Sequence, residues 1–178
     1  MPYFTEGQLR GFASTYTMNE AANRFLNKSL SGATTSIFLS HSHKDKELAK
    51  GLKNFLGNMG INLYIDWEDT DMPQPPNRET AATLKKRINT TDFFLVLCTE
   101  NALQSRWVPW EIGIADMQKS FNRILVAPVA DNQGRFNGNE YLQLYRRIII
   151  NNAGTAEVYD PDKQYSSTPL RDIFFSRI

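Results

Sequence analysis

Apolar residues along this chain recur at two spacings, and the switching between them predicts the order of elements. Ser36 to Ser40 (SIFLS) reads as a short buried strand. Leu48, Leu52, Phe55, Leu56 and Met59 then follow at helical intervals up to Gly60, preceded by Ser42 and Asp45 at the Ser-x-x-Asp spacing of a capping box. Ile61 to Asp66 (INLYID) is the second strand, and Pro73, Pro75 and Pro76 keep Trp67 to Arg78 in a loop. Ala81, Leu84 and Ile88 mark the next helix. Phe93 to Cys98 (FFLVLC) is an unbroken apolar run suited to a central strand buried on both faces. Beyond it the pattern gives a helical region from Glu100 to Ser120, a strand from Ile124 to Val129, a helix from Tyr141 to Ile149, a strand from Ala156 to Tyr159, and a closing helix with Leu170, Ile173 and Phe174.

Strands alternating with helices specify a parallel sheet covered on both faces. The expectation is an α/β, flavodoxin-like three-layer fold with a five-stranded parallel sheet in the order 2-1-3-4-5. In such sheets ligands sit at the carboxyl ends of the strands where the order reverses. That rule selects His41 to Lys44, after the first strand, and the loop after the third strand that leads into Ser105 to Glu111. Ahead of the main domain, Leu9 and Phe12 have helical spacing, as do Met18, Ala22, Phe25, Leu26 and Leu30. Residues 1–35 are therefore expected to form an N-terminal helical extension and connector, and residues 36–178 the main domain.

At 178 residues with 41% hydrophobic content, the chain can build one good core but not two ordinary domains. A net charge of +1 supplies no field for nucleic acid or an anionic membrane, so neither is expected as a partner. The lone Cys98 sits in an apolar run, where a thiol behaves as a small hydrophobe, as suits a reducing cytosol. No apolar run reaches the roughly 18 residues of a membrane span, and no signal-peptide pattern opens the chain. A cytoplasmic protein is expected.

The glycine-rich dinucleotide and P-loop signatures are missing, and Ser42 lacks a Gly-x-Ser-x-Gly setting. His41 and His43 are the only histidines, with no cysteine nearby, so no metal site is expected there. Asp66, Glu68, Asp69 and Asp71 lack the glycine and terminal glutamate of a calcium loop and read as a solvated acidic loop. The segment Ser105 to Glu111 (SRWVPWE) is different. If Ser105 caps the helix, Trp107 and Glu111 are an i, i+4 pair on one face; if the helix starts instead at Pro109, the geometry of the pair is looser. Near a helix N-terminus the macrodipole favours an ionised Glu111. From spacing alone, packing tryptophans with an ordinary first-turn glutamate is the plainer reading, because such glutamates are common in first turns.

Four blocks in order, Ser36 to Asp45 (SIFLSHSHKD), Ile61 to Trp67 (INLYIDW), Phe93 to Thr99 (FFLVLCT) and Ser105 to Ala115 (SRWVPWEIGIA), resemble the conserved blocks of TIR domains. The style is similar to stand-alone bacterial TIR proteins of anti-phage, Thoeris-like systems. The resemblance implies an NAD+ nucleosidase that releases nicotinamide and yields ADP-ribose or a cyclic ADP-ribose signal, with NAD+ as substrate and no cofactor. Glu111 would be the catalytic carboxylate of the family's Trp-x-x-x-Glu motif, with Trp107 shaping the pocket. Ser40, His41, Ser42, His43, Trp67 and Asp71 would border the nucleotide. It further implies self-association through TIR–TIR contacts and a nucleotide-sensing effector as partner. The chain departs from animal receptor TIR domains: Asp71-Met72-Pro73 lacks the following glycine, and Phe174-Phe175 replaces a Phe-Trp pair. The alternative is a non-catalytic interaction module or host-directed effector, with the prolines at 73 to 76 as a docking surface.

Overall fold

The computed structural model describes residues 3–15, 35–68, 77–131, 133–136, 138, 140–151, 153–163 and 166–175. The strands are β1 (Phe4–Thr5), β2 (Ser36–Ser40), β3 (Asn62–Tyr64), β4 (Phe93–Cys98), β5 (Ile124–Ala130), β6 (Arg146–Ile150), β7 (Ala156–Tyr159) and β8 (Ser167–Pro169). The helices are α1 (Glu6–Thr15), α2 (Lys46–Gly57), α3 (Arg78–Thr90), α4 (Glu100–Leu103), α5 (Val108–Gln118) and α6 (Leu170–Phe175). They flank one sheet of order β3-β2-β4-β5-β6-β7-β8, with β1 added against the end of β5.

The central strand shows why the sheet is covered twice. All six residues of β4 are buried. Side chains alternate across a strand, so Leu95 and Leu97 join a core with Leu48, Leu52 and Leu56 of α2 and Leu9 of α1. Phe94, Val96 and Cys98 join a second core with Leu84 and Ile88 of α3 and Ile112 of α5. On that second face Phe94, Phe38 and Tyr64 stack across β4, β2 and β3 with centroid spacings of 5.6 and 5.5 Å.

The five neighbouring strands β3-β2-β4-β5-β6 pair in parallel. Counted from β2 they have the expected order 2-1-3-4-5, but the fifth place belongs to residues 146–150. The expected helix over Tyr141 to Ile149 is instead a 3-10 turn, Glu140–Leu144, followed by β6. Ile148, Ile149 and Ile150 are β-branched, stiff at χ1 and better accommodated on a pleated surface. The 156–159 strand is present as β7, antiparallel to β6. The turn between them places Gly154 at φ 76, and the Asn151 carboxamide oxygen accepts from the backbone N–H groups of Ala153 and Thr155 at 3.0 and 2.9 Å. The helical region from Glu100 is likewise two helices, broken ahead of α5 where Ser105 Oγ accepts from the Trp107 and Val108 N–H groups.

At the N-terminus, α1 lies directly on α2. A Cβ at Gly51 would stand 2.0 Å from the Leu9 carbonyl oxygen, so only glycine permits this approach. Asn54 Nδ2 donates to Phe12 O at 3.1 Å, satisfying a carbonyl that the helix end leaves without a partner. The helical spacing from Met18 to Leu30 lies outside the described residues.

Candidate active site

Glu111 stands in the first turn of α5 on the stripe Val108, Glu111, Ile112 and Ala115, the face this helix turns to the sheet. A carboxylate has thus been placed where periodicity calls for an apolar side chain. It is only 5% exposed. The Glu111 N–H donates to Trp107 O at 2.9 Å, so Trp107 and Glu111 are the anticipated i, i+4 pair. Ser40, fully buried at the carboxyl end of β2, donates from Oγ to Glu111 Oε2 at 2.5 Å. This bond joins two segments at the rim where the strand order reverses.

Burial dominates the electrostatics. Desolvation pushes the Glu111 carboxyl up to about 8; the Ser40 hydrogen bond opposes this, and the negative charge of Asp66 adds to it. The expectation of an ionised carboxylate from the helix macrodipole is therefore reversed in the unliganded site. A half-charge spread over a helix end contributes about 0.3–2 kcal/mol, less than the cost of taking a carboxylate out of water.

Beside this pair, His41 is buried and follows Ser40 directly. Its Nδ1 lies 3.3 Å from the Leu39 carbonyl and its Nε2 3.8 Å from Asp66 Oδ1. The Trp67 ring meets the imidazole edge-on at 4.6 Å, and Lys46 Nζ lies 5.7 Å from a Trp67 ring centroid. Burial lowers the His41 pKa below its ordinary value, although Asp66 pulls it the other way. His43 is exposed, its ring 6.1 Å from that of His41. Ser42 is buried and serves the chain turn: its Oγ accepts from Lys44 N–H, and its carbonyl from Asp45 N–H at 2.8 Å. Trp107 is half-buried and perpendicular to Trp110 at 5.4 Å. Asp71 lies outside the described residues.

Sequence reasoning missed the role of Asp45. The capping box does not form as expected, because the Asp45 carboxylate is buried and accepts from Thr99 Oγ1 at 2.5 Å and from Asn101 Nδ2 at 2.7 Å. Thr99 Oγ1 also caps α4 by accepting from Ala102 N–H at 3.0 Å. Asp45 thus ties the loop after β2 to the loop after β4, the two loops that frame Ser40 and Glu111. A Thr-x-Asn immediately after a buried strand was the available signal.

The profile of the TIR domain family matches residues 37–155, well over half of the chain. The chain belongs to the TIR domain family. It is 32% identical over 185 aligned positions to the "Probable 3' cyclic ADP-D-ribose synthase ThsB'" of Bacillus cereus, covering 93% of this chain and 95% of that protein. It is also 33% identical over 79 positions to the "Putative cyclic ADP-D-ribose synthase TIR2" of Cytobacillus dafuensis, across 43% of this chain and 21% of that longer protein. The blocks that carry the TIR resemblance bring Ser40, His41, Trp107 and Glu111 to the carboxyl rim of the sheet. Among the described residues, no helix is long and apolar enough to cross a membrane.

Proposed function

We propose that this TIR domain cleaves the nicotinamide–ribose bond of NAD+ and closes the released ADP-ribosyl group on itself to a cyclic ADP-ribose. The buried Glu111 carboxyl held by Ser40 carries this reading. The near full-length similarity to a protein named as a cyclic ADP-D-ribose synthase supports the choice of product class.

The chemistry needs one carboxylate. Nicotinamide is a pyridinium in NAD+ and departs as a neutral base with the bonding electron pair, so no acid has to protonate the leaving group, unlike the alkoxide of ordinary glycoside cleavage. What remains is an oxocarbenium-like ribose, which a preorganised anion stabilises as charge develops. Glu111 enters the free site largely protonated at neutral pH. A bound pyridinium within about 4–6 Å lowers a carboxyl pKa by about 1–3 units, so the substrate itself ionises the group that will act on it. Bond formation between the cationic ribose carbon and a nucleophilic atom of the ADP half then completes the ring, and the proton that the nucleophile sheds passes to the Glu111 carboxylate or to water. A site that excludes water favours this capture over hydrolysis. Trp107 and Trp67 supply flat apolar surface for the nicotinamide and ribose, with Ser42 and His43 at the margin, and by the TIR resemblance Asp71 would also contact the nucleotide.

By the same TIR resemblance, assembly of this chain with further copies and a nucleotide-sensing effector as reader of the product belong to the proposal, in a defence against phage. Nicotinamide release and cyclic product from NAD+, for purified wild type and Glu111→Gln, test the assignment. The substitution should cost on the order of 100 to 1000-fold in turnover. Equal turnover by the two proteins overturns the role of Glu111, and no turnover by the assembled wild type returns the chain to the interaction-module reading.

A further inference from the structure

Two lone-pair acceptors face each other beside the Glu111 site. His41 Nδ1 lies 3.3 Å from the Leu39 carbonyl oxygen, which can only accept, so the ring's proton belongs on Nδ1. That leaves Nε2 with a bare lone pair. Nε2 is buried with no hydrogen-bond partner, its side chain is 2% exposed, and it points toward Asp66 Oδ1 at 3.8 Å. An imidazole lone pair and a carboxylate oxygen repel unless a cation stands between them. A proton or a metal ion can play that part. His43 completes the set. One ligand atom from each of His41, His43 and Asp66 lies within 4.8 Å of the other two.

We propose that His41, His43 and Asp66 form a binding site for a divalent transition metal, best matched by Zn2+. Two imidazoles and one carboxylate are the donors zinc accepts, with bonds of about 2.0–2.2 Å and a fourth position left for water or a substrate oxygen. Tetrahedral zinc places its ligand atoms roughly 3.4 Å apart, calculated from those bond lengths. The set must therefore contract by somewhat more than 1 Å, and the exposed His43 side chain can supply that movement. The rest of the arrangement is already that of a metal-binding histidine. A backbone carbonyl holds the far ring nitrogen and fixes the tautomer, and Asp66 Oδ1 is itself held by the Trp67 N–H at 2.9 Å. The sequence concealed the site because the two histidines lie at alternate positions after β2, while the third ligand arrives from the end of the neighbouring β3.

The site does not depend on NAD+ cleavage, and its test uses binding rather than turnover. Metal-free full-length protein is titrated with Zn2+ by calorimetry, and with Co2+ by visible absorption, which reports the ligand field directly. Wild type should bind one Zn2+ per chain with micromolar or tighter affinity. Trp67 fluorescence, reporting from 4.6 Å away, should change over the same range. His43→Ala removes an exposed ligand without touching the core, and Asp66→Asn keeps an oxygen for the Trp67 N–H. Each should weaken binding at least 10 to 100-fold, the loss seen even for groups that only support a ligand. If Asp66→Asn does not fold, His43→Ala decides alone. No stoichiometric binding by wild type, or binding by His43→Ala equal to that of wild type, overturns the proposal.

Discussion

Replacing Glu111 by glutamine should make the protein more stable, by an amount that grows with pH. The carboxyl is buried, and burial raises its pKa from an ordinary 4.5 to about 8. Between those values the folded protein retains a proton that the unfolded chain has released, so stability is greatest below the lower value and is lost as pH rises toward the upper one. Each pKa unit is worth about 1.4 kcal/mol, and integrating the two titrations from pH 5 to pH 8 gives a loss of roughly 3 to 4 kcal/mol from this one group. Glutamine does not titrate, and its amide oxygen can still accept from Ser40. The variant should therefore gain about that much on wild type between pH 5 and pH 8, or about 10 °C in Tm for a domain of this size. Urea unfolding of both proteins at pH 5, 6, 7 and 8, extrapolated linearly to water, measures the difference. A constant difference across the series, or a wild type that gains on the variant as pH rises, would refute a buried, proton-holding Glu111. Together with lost turnover, the expected result is what a functional group held against its own solvation should give.

The Ser40 hydroxyl stabilises the ionised carboxylate. Ser40→Ala should move the acidic inflection of kcat/KM upward from its wild-type position near 8 and lower kcat/KM at pH 7 by about 10-fold or more, as expected for a hydrogen bond to a charged group. In wild type, the corresponding inflection of kcat should lie below that of kcat/KM, because the bound pyridinium favours the anion. An unchanged kcat/KM inflection in the variant would remove Ser40 from the ionisation of Glu111. Far from the site, Gly51→Ala places a Cβ 2.0 Å from the Leu9 carbonyl oxygen, a backbone atom that cannot rotate away. Overpacking of this kind costs about 1–3 kcal/mol. Denaturant unfolding should show that loss together with easier proteolysis within α1, and an unperturbed midpoint would mean that α1 does not rest on α2 in solution.

The sheet was legible because its signals are local. The unbroken apolar run Phe93 to Cys98 needs no partner to identify it, and the helical spacing from Leu48 to Leu56 survives in α2 with every one of those leucines buried. The difference over residues 141–149 starts from a local signal: Tyr141, Leu142, Leu144 and Tyr145 do recur at helical intervals, and one 3-10 turn uses the first three. What ends that turn is the β-branched Ile148 to Ile150, whose place is decided by pairing with β5 and β7, an influence that spacing does not contain. At the site the same distinction becomes one of chemistry. The spacing of Trp107 and Glu111 and the sheet-reversal rule both lead to the right rim. Neither shows that Glu111 occupies an apolar stripe, and that burial, not the helix dipole, decides its protonation. Likewise two histidines at alternate positions mean little until β3, lying beside β2, delivers Asp66 opposite His41. The residue types can be read from the chain, but their pKa values and ligand sets arise from which loops the topology makes neighbours. Two acidic side chains, Asp66 and Glu111, come to this rim from different segments, and the charge of Asp66 raises the cost of charging Glu111. A cation on either of them, the substrate's pyridinium or a metal at Asp66, would relieve that cost, so the rim is built to receive positive charge before any reaction begins.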